Sequence, residues 1–236
     1  MKNFSQIIKK VIKVKKPTIF DVGAHTGESI ELFRSLYRSP VIHAFEPINL
    51  EYLKLVKRYN RTCYLNNIGC GDKNSIEYFY QTKGTANSSF LKITPGTKWL
   101  RERARYWNTV SKQFVVKKSK VKIVTLDSYC KNNKINFIDI LKIDTEGAEL
   151  EVINSGIKLI KKNTPVIILE FNKNNFFKIK KLLTKYNYQI YKFDFSQKAL
   201  IKITKKDEQE SFKKNNSQNF VFYNPETKIV KGISIK

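Results

Sequence analysis

Thr18-Ile19-Phe20-Asp21-Val22-Gly23-Ala24-His25-Thr26-Gly27 is the stretch whose reading decides the fold. Residues 18–22 are a short apolar run bounded by Pro17 and Gly23, with the length and composition of a strand buried on both faces. Glycines just past a strand let the backbone turn tightly and approach a ligand that a Cβ would exclude. Residues 28–38 then place Ile30, Phe33 and Leu36/Tyr37 on one helical face, and the start of such a helix offers free N–H groups to an anion. Working outward, Val41-Ile42-His43-Ala44-Phe45 is a second strand stopped by Pro47, residues 48–59 are helical through Leu50, Leu53 and Val56, and 62–68 is a third strand. Strand–helix–strand–helix–strand in so short a span requires right-handed βαβ units and a parallel sheet.

The alternation lapses between about 75 and 113. Ile76–Tyr80 reads as an extra strand, Gly84 to Ser89 as a loop, and 97–110 as a helix carrying Trp99, Arg101, Arg103, Arg105, Tyr106 and Trp107. An insert at about 84–113 in an otherwise tight α/β chain is expected to be a substrate-side element. Order returns with a strand at 114–125 and a helix over Leu126–Asn132. The strongest strand is Phe137–Ile143, with Asp144 at its end. Ala148–Ser155 is a helix closed by Gly156 as its C′ residue, Val166–Phe171 a buried strand and 174–186 a helix. Strands near 188–195 and 219–223 complete the chain, joined by a Lys-rich turn around 204–217. Ahead of all this, residues 4–14 set Phe4, Ile7, Ile8, Val11 and Ile12 against lysines. That is a basic amphipathic helix, either docked on the domain edge or in peripheral contact with a membrane. The organisation expected is therefore an N-terminal helix over 1–16 and a single domain over 17–236.

The chain has 236 residues, 41% of them hydrophobic, enough for one large domain without disulfides or structural metals. Cys63, Cys70 and Cys130 show no CxxC spacing and an odd count, which suits ordinary thiols in a reducing, cytoplasmic setting. No run approaches the roughly 18 apolar residues of a membrane span, and Lys9, Lys10 and Lys13 interrupt any signal-peptide core. The net charge is +25, but 38 of the 45 basic residues are Lys. With Asn and Ile also abundant, an AT-rich coding sequence produces that bias; a nucleic-acid protein leans more on Arg. The charge favours an anionic partner only weakly.

Two further segments carry chemistry. Glu46, in Ala-Phe-Glu-Pro at the end of the second strand, is placed to accept both hydroxyls of a ribose. A nicotinamide enzyme and a methyltransferase are both allowed at this point. The Gly-x-x-x-Gly spacing of Gly23 and Gly27 departs from Gly-x-Gly-x-x-Gly, and the acid Asp21 inside the strand would oppose a pyrophosphate while suiting a cationic methionine amino group. In Leu141-Lys142-Ile143-Asp144-Thr145-Glu146-Gly147-Ala148-Glu149, Asp144 and Glu146 lie at the carboxyl end of a central strand, where α/β sheets bind ligands. Glu149 reads as a first-turn helix residue favoured by the dipole.

The chain resembles the FkbM-type methyltransferases. The resemblance runs through Ile19–Gly27, Ala44–Pro47, Asn67-Ile68-Gly69-Cys70-Gly71-Asp72, Val124–Asp127, Ile140–Glu149 and Ile168–Glu170, in family order across about 17–172. His25 stands where the family more often has Asn, and Gly69 and Gly71 replace small residues such as Ala and Ser. The resemblance implies a class I methyltransferase (Rossmann-like) α/β fold. Its sheet would have seven strands, mostly parallel with an antiparallel C-terminal strand, flanked by helices. It implies S-adenosylmethionine as cofactor, held by Asp21, Gly23, Ala24, His25, Gly27, Glu46, Asn67, Asp72 and Asp144, and O-methylation of a sugar or polyketide-like hydroxyl.

An alcohol needs a base, and only two histidines exist. His43 lies inside a strand and His25 in the cofactor loop, which leaves Glu146 as the candidate catalytic base and Asp144 to orient cofactor or acceptor. No resident metal is assigned, although Asp144 and Glu146 with Glu170 could hold a divalent ion instead. The function expected is methylation of a hydroxyl on a saccharide or glycoconjugate, the partner being a small-molecule or glycan acceptor. Two alternatives stand beside it. One is an RNA methyltransferase, for which the charge and the 99–107 aromatics and arginines speak. The other is a non-catalytic polyanion-binding module, against which the intact Asp21, Gly23, Gly27, Glu46, Asp144 and Glu146 speak.

Overall fold

The computed structural model describes residues 7–9, 12–83, 88, 101, 104–105, 115–170, 175–214 and 219–227. Its elements begin with β1 (Thr18–Val22), α1 (Glu28–Leu36), β2 (Val41–Phe45), α2 (Asn49–Tyr59), β3 (Tyr64–Asn66) and β4 (Gly69–Cys70). They continue through β5 (Ser75–Thr82), β6 (Val115–Val124), α3 (Leu126–Asn132), β7 (Ile140–Ile143), α4 (Glu149–Ser155) and α5 (Ile157–Asn163). The last are β8 (Val166–Glu170), α6 (Phe176–Thr184), β9 (Gln189–Asp194), β10 (Ala199–Lys202), α7 (Lys205–Lys214) and β11 (Asn219–Tyr223).

The main sheet has eight strands in the order β10-β9-β11-β8-β7-β1-β2-β3. From β3 to β8 the pairings are parallel, and β11 inserts antiparallel between β8 and β9. This is the expected class I arrangement with one addition. Seven strands are expected, and the eighth is β10, which folds back on β9 as an antiparallel hairpin at the sheet edge. The Lys-rich stretch after it is the helix α7 where a turn is expected.

Successive residues of the central strands feed two cores, one on each face. Phe20, Phe45, Leu141 and Leu169 fill one side; Ile19, Ile42, Ala44, Ile140 and Ile168 fill the other. A parallel sheet covered on both faces needs such continuous apolar runs. Ile7, Ile8 and Ile12 are buried in the second core, so the apolar residues described in the N-terminal segment pack inside the domain.

The expected third strand is divided. Asn67-Ile68 turns the chain from β3 into β4, and β4 joins a separate three-stranded sheet, β4-β6-β5. Phe137–Asp139 precedes β7 as an irregular approach instead of extending the strand. Gly156 does not take the left-handed C′ conformation; it has φ −114° and joins α4 directly to α5. A Cβ there would lie 3.2 Å from the Leu126 side chain, so close helix packing explains the glycine. Among the described residues no helix is long and apolar enough to cross a membrane. Of the 84–113 insert, Ser88, Arg101, Ala104 and Arg105 are described; Trp99, Arg103, Tyr106 and Trp107 lie outside the described residues.

Candidate active site

The carboxyl ends of β1, β2 and β7 meet because each strand's exit is tied to its neighbour. Gly23 and Ala24 N–H both donate to the Phe45 carbonyl (3.0 and 3.1 Å), Asp144 N–H donates to Val22, and Glu46 N–H to Asn66 (3.0 Å each). Gly23 has φ +82°, and a Cβ there would sit 1.8 Å from the Asp144 carbonyl oxygen. Only glycine allows this approach.

Glu46 follows β2 and is 3% exposed. Its two carboxylate oxygens accept from the backbone N–H groups of His25 and Ile48, each at 2.8 Å. Burial pushes its carboxyl up to about 7, against the pull of those two amides. Glu46 lines a cavity of about 210 Å³, walled on its apolar side by Phe45, Ile48, Ile68 and Phe79, and on its acidic side by Asp144, Glu146 and Glu170. A second cavity of about 350 Å³, reaching Ser29, Lys142 and Asn219, shares Gly23, His25 and Asp144 with the first.

One carboxylate oxygen from each of Asp144, Glu146 and Glu170 lies within 4.8 Å of the others, an oxygen-donor set of the kind a divalent cation takes. Burial raises the Asp144 carboxyl, and the Lys142 ammonium 3.4 Å away, together with a hydrogen bond to Glu170 and the nearby His25, outweighs it, holding the group below its ordinary value. Glu146 has φ +54° and His25 φ +43°. Side chains other than glycine are strained in that region, and both strained residues sit on the cavity wall. Glu149 is buried and accepts from Gly147 N–H (2.7 Å) and the Thr145 hydroxyl (3.2 Å). It secures the Asp144–Ala148 turn from behind.

A sequence model of the Methyltransferase FkbM domain matches residues 21–190. The chain belongs to the FkbM methyltransferase family. Among solved structures it resembles the FkbM methyltransferase of Methylobacillus flagellatus KT at a TM-score of 0.55 and 13% identity, over 89% of this chain and 44% of that one. It thus spans less than half the length of that structure. The precorrin-6Y C5,15-methyltransferase of Geobacter metallireducens GS-15 aligns at a TM-score of 0.44 and 12% identity, over 94% of this chain and 86% of that one. The first likeness shows a shared fold; the second is too loose to carry an argument. No curated protein matches the sequence.

In this FkbM-family domain the expected site residues separate by position. Gly23, His25, Glu46, Asp144 and Glu146 line the first cavity, while Ala24 lines the second. Asp21 is fully buried and on neither wall; it bonds the Ser29 hydroxyl at 2.5 Å and pairs with Lys142 at 3.1 Å. Its carboxylate anchors the loop from beneath. Gly27 is fixed by packing, since a Cβ would lie 2.7 Å from the Tyr59 ring and 2.9 Å from Leu55. Asn67 holds the Glu46 carbonyl at 2.8 Å. Asp72 is exposed on the turn after β4 and lines neither cavity.

The residue that sequence reasoning missed is Lys142. From β7 its ammonium reaches Asp21, Asp144 and the Gly23 carbonyl (2.9 Å). Burial draws its pKa down, and the two carboxylates outweigh that and raise it. The signal was present: a lysine inside an apolar strand needs a buried partner, and Asp21 is its register partner on β1. His43 is structural, as expected. It stacks on Tyr64 (centroids 4.5 Å apart) and meets the Tyr129 hydroxyl at 3.0 Å, and burial lowers its pKa to about 4.

Proposed function

We propose that this domain methylates a hydroxyl of a saccharide or glycoconjugate, with S-adenosylmethionine as donor. The observation that carries the reading is Glu46, a buried carboxylate on the wall of a cavity otherwise apolar on that side. Carboxylate oxygens held by two backbone amides keep lone pairs free for a ribose diol, and Ile48, Ile68 and Phe79 suit a purine face. The neighbouring Asp144 suits the cationic amino group of the methionine end. When bound, S-adenosylmethionine supplies an electrophilic methyl group. The chain's own residues then position and deprotonate: Gly23 and His25 shape the cofactor loop, Asp144 orients, and Glu146 accepts the proton of the acceptor hydroxyl. The three cysteines are free, in keeping with a cytoplasmic setting.

Calorimetry is expected to show binding of S-adenosylmethionine and its demethylated product and none of NAD. Radiolabelled donor offered to glycans, nucleotide sugars and RNA is expected to label the carbohydrates. Incorporation into RNA, with affinity falling steeply between about 50 and 200 mM salt, would overturn the saccharide reading.

Glu46 also sets a pH dependence. With its carboxyl raised to about 7, the ionised form that accepts ribose hydroxyls fills in as pH rises through neutrality. Affinity for S-adenosylmethionine should increase severalfold, but less than tenfold, from pH 6 to 8, since hydrogen bonds to charged groups exceed neutral ones by roughly 1 kcal/mol. The stability of the ligand-free domain moves the other way. A carboxyl raised on folding contributes most below its unfolded pKa, and that contribution is lost as pH rises through the folded value. Glu46→Gln should flatten both profiles; an unchanged affinity profile in that variant removes Glu46 from the ribose site.

A further inference from the structure

The antiparallel pair β5–β6 is a two-sided ribbon. Pairing sets Ile76 opposite Lys122, Tyr78 opposite Lys120 and Tyr80 opposite Lys118, so these six share one face. On the alternate face Phe79, Val121 and Ile123 are buried against Ile48 and Phe79 lines the cavity, while Glu77, toward the end of the ribbon, pairs with Lys73. The outer face is unlike the rest of the ribbon. Ile76 is 70% exposed and Tyr78 49%, all three lysines are exposed, and no carboxylate stands among the six.

We propose that this face docks the domain on an anionic lipid surface. Three cations recurring every second residue, about 7 Å apart along the strand, meet a negative surface with no acid among the six residues of the face. Tyrosine suits the headgroup level of a bilayer, lysine stems lie along apolar surface while their ammonium groups stay in water, and Ile76 gains a cover that water does not give it. A single-stranded nucleic acid fits less well. Such a strand binds by stacking bases on open aromatic faces, and here the Lys118 ammonium lies 3.8 Å from the Tyr78 ring centroid and 5.6 Å from that of Tyr80. Docking through this ribbon is distinct from contact through the N-terminal helix, whose described apolar residues are inside the core.

Co-sedimentation of the full chain with vesicles tests this, using phosphatidylcholine alone and phosphatidylcholine mixed with phosphatidylglycerol. Binding is expected to the mixed vesicles only. Each lysine at an anionic surface contributes about fivefold, so Lys118→Gln/Lys120→Gln/Lys122→Gln should partition on the order of 100-fold more weakly. A control triple on exposed helical lysines, Lys57→Gln/Lys131→Gln/Lys158→Gln, removes the same charge and should keep most of the binding. Ile76→Ser, which alters no charge, should weaken it severalfold. Unchanged cofactor affinity in the variants reports that they are folded. Equal losses in the two triples would mean that net charge alone acts, and would overturn the proposal. So would a parent chain that ignores mixed vesicles, or one that prefers a polyuridine RNA probe to them.

Discussion

Glu146→Gln is expected to bind S-adenosylmethionine as the parent chain does and to lose on the order of 10² to 10⁴ in turnover, the range a positioned general base contributes. The amide keeps the shape of the side chain and the left-handed backbone of residue 146 (φ +54°), so the strain is the same in both proteins. In the proposed reading the cofactor contacts rest on Glu46 and the Gly23–His25 loop, separate residues of the same cavity lining. A second substitution separates chemistry from architecture. Glu146→Gly relieves a backbone conformation that costs an L-residue roughly 1 kcal/mol, so it should match or exceed the parent in thermal stability while being as inactive as the glutamine variant. Single-turnover transfer from radiolabelled donor measures the first effect and a melting curve the second. Turnover close to parental in Glu146→Gln would remove Glu146 as the base. Chelator-sensitive turnover in the parent would instead assign Asp144, Glu146 and Glu170 to a bound cation that lowers the hydroxyl's pKa.

The parts of the fold legible in the sequence are those where local chemistry and tertiary structure agree. β1, β2 and β7 are apolar runs buried on both faces, and α3 ends where its caps place it, with the Thr125 hydroxyl accepting from Ser128 N–H at 3.0 Å. Because α/β ligand sites gather at the carboxyl ends of strands, reading the strand ends also finds Gly23, His25, Glu46, Asp144 and Glu146. The β10–α7 region escaped for the opposite reason. Lys205–Lys214 has almost no apolar face to betray a helix, and its start is marked only by the reciprocal bonds of Thr204 and Asp207, a capping box one type removed from the usual Glu. From the sequence Gly27 reads as a ligand-approach glycine; its actual neighbours, Leu55 and Tyr59, are some thirty residues away along the chain. Spacing along a chain does not report such contacts.

Lys142 belongs to the same class of omissions, and its replacement should have the largest effect on stability. Lys142→Met is expected to destabilise the domain by about 3–5 kcal/mol, the range for removing one partner of a buried ion pair. Asp21 has no exposed surface, so without the ammonium it must keep a buried negative charge on the Ser29 hydroxyl alone or take up a proton. The Gly23 carbonyl loses its donor at the same time. Because the carboxylates hold the ammonium above its ordinary pKa, the stabilisation is fully present below about pH 10 and should not vary across the neutral range. Asp21→Leu in the same chain removes the orphaned charge, and hydrophobic replacement of a whole buried pair is often near neutral. The double variant should therefore regain most of the stability lost by Lys142→Met, a coupling that a double-mutant cycle reads directly from denaturation midpoints. It should not regain function. Asp144 also depends on Lys142 for its low pKa, so the restored fold should need a higher pH to keep that carboxylate ionised, and cofactor affinity should fall at its acid end. Should Lys142→Met unfold within about 0.5 kcal/mol of the parent, a difference typical of surface substitutions, the ammonium would not be the tie between the two loops.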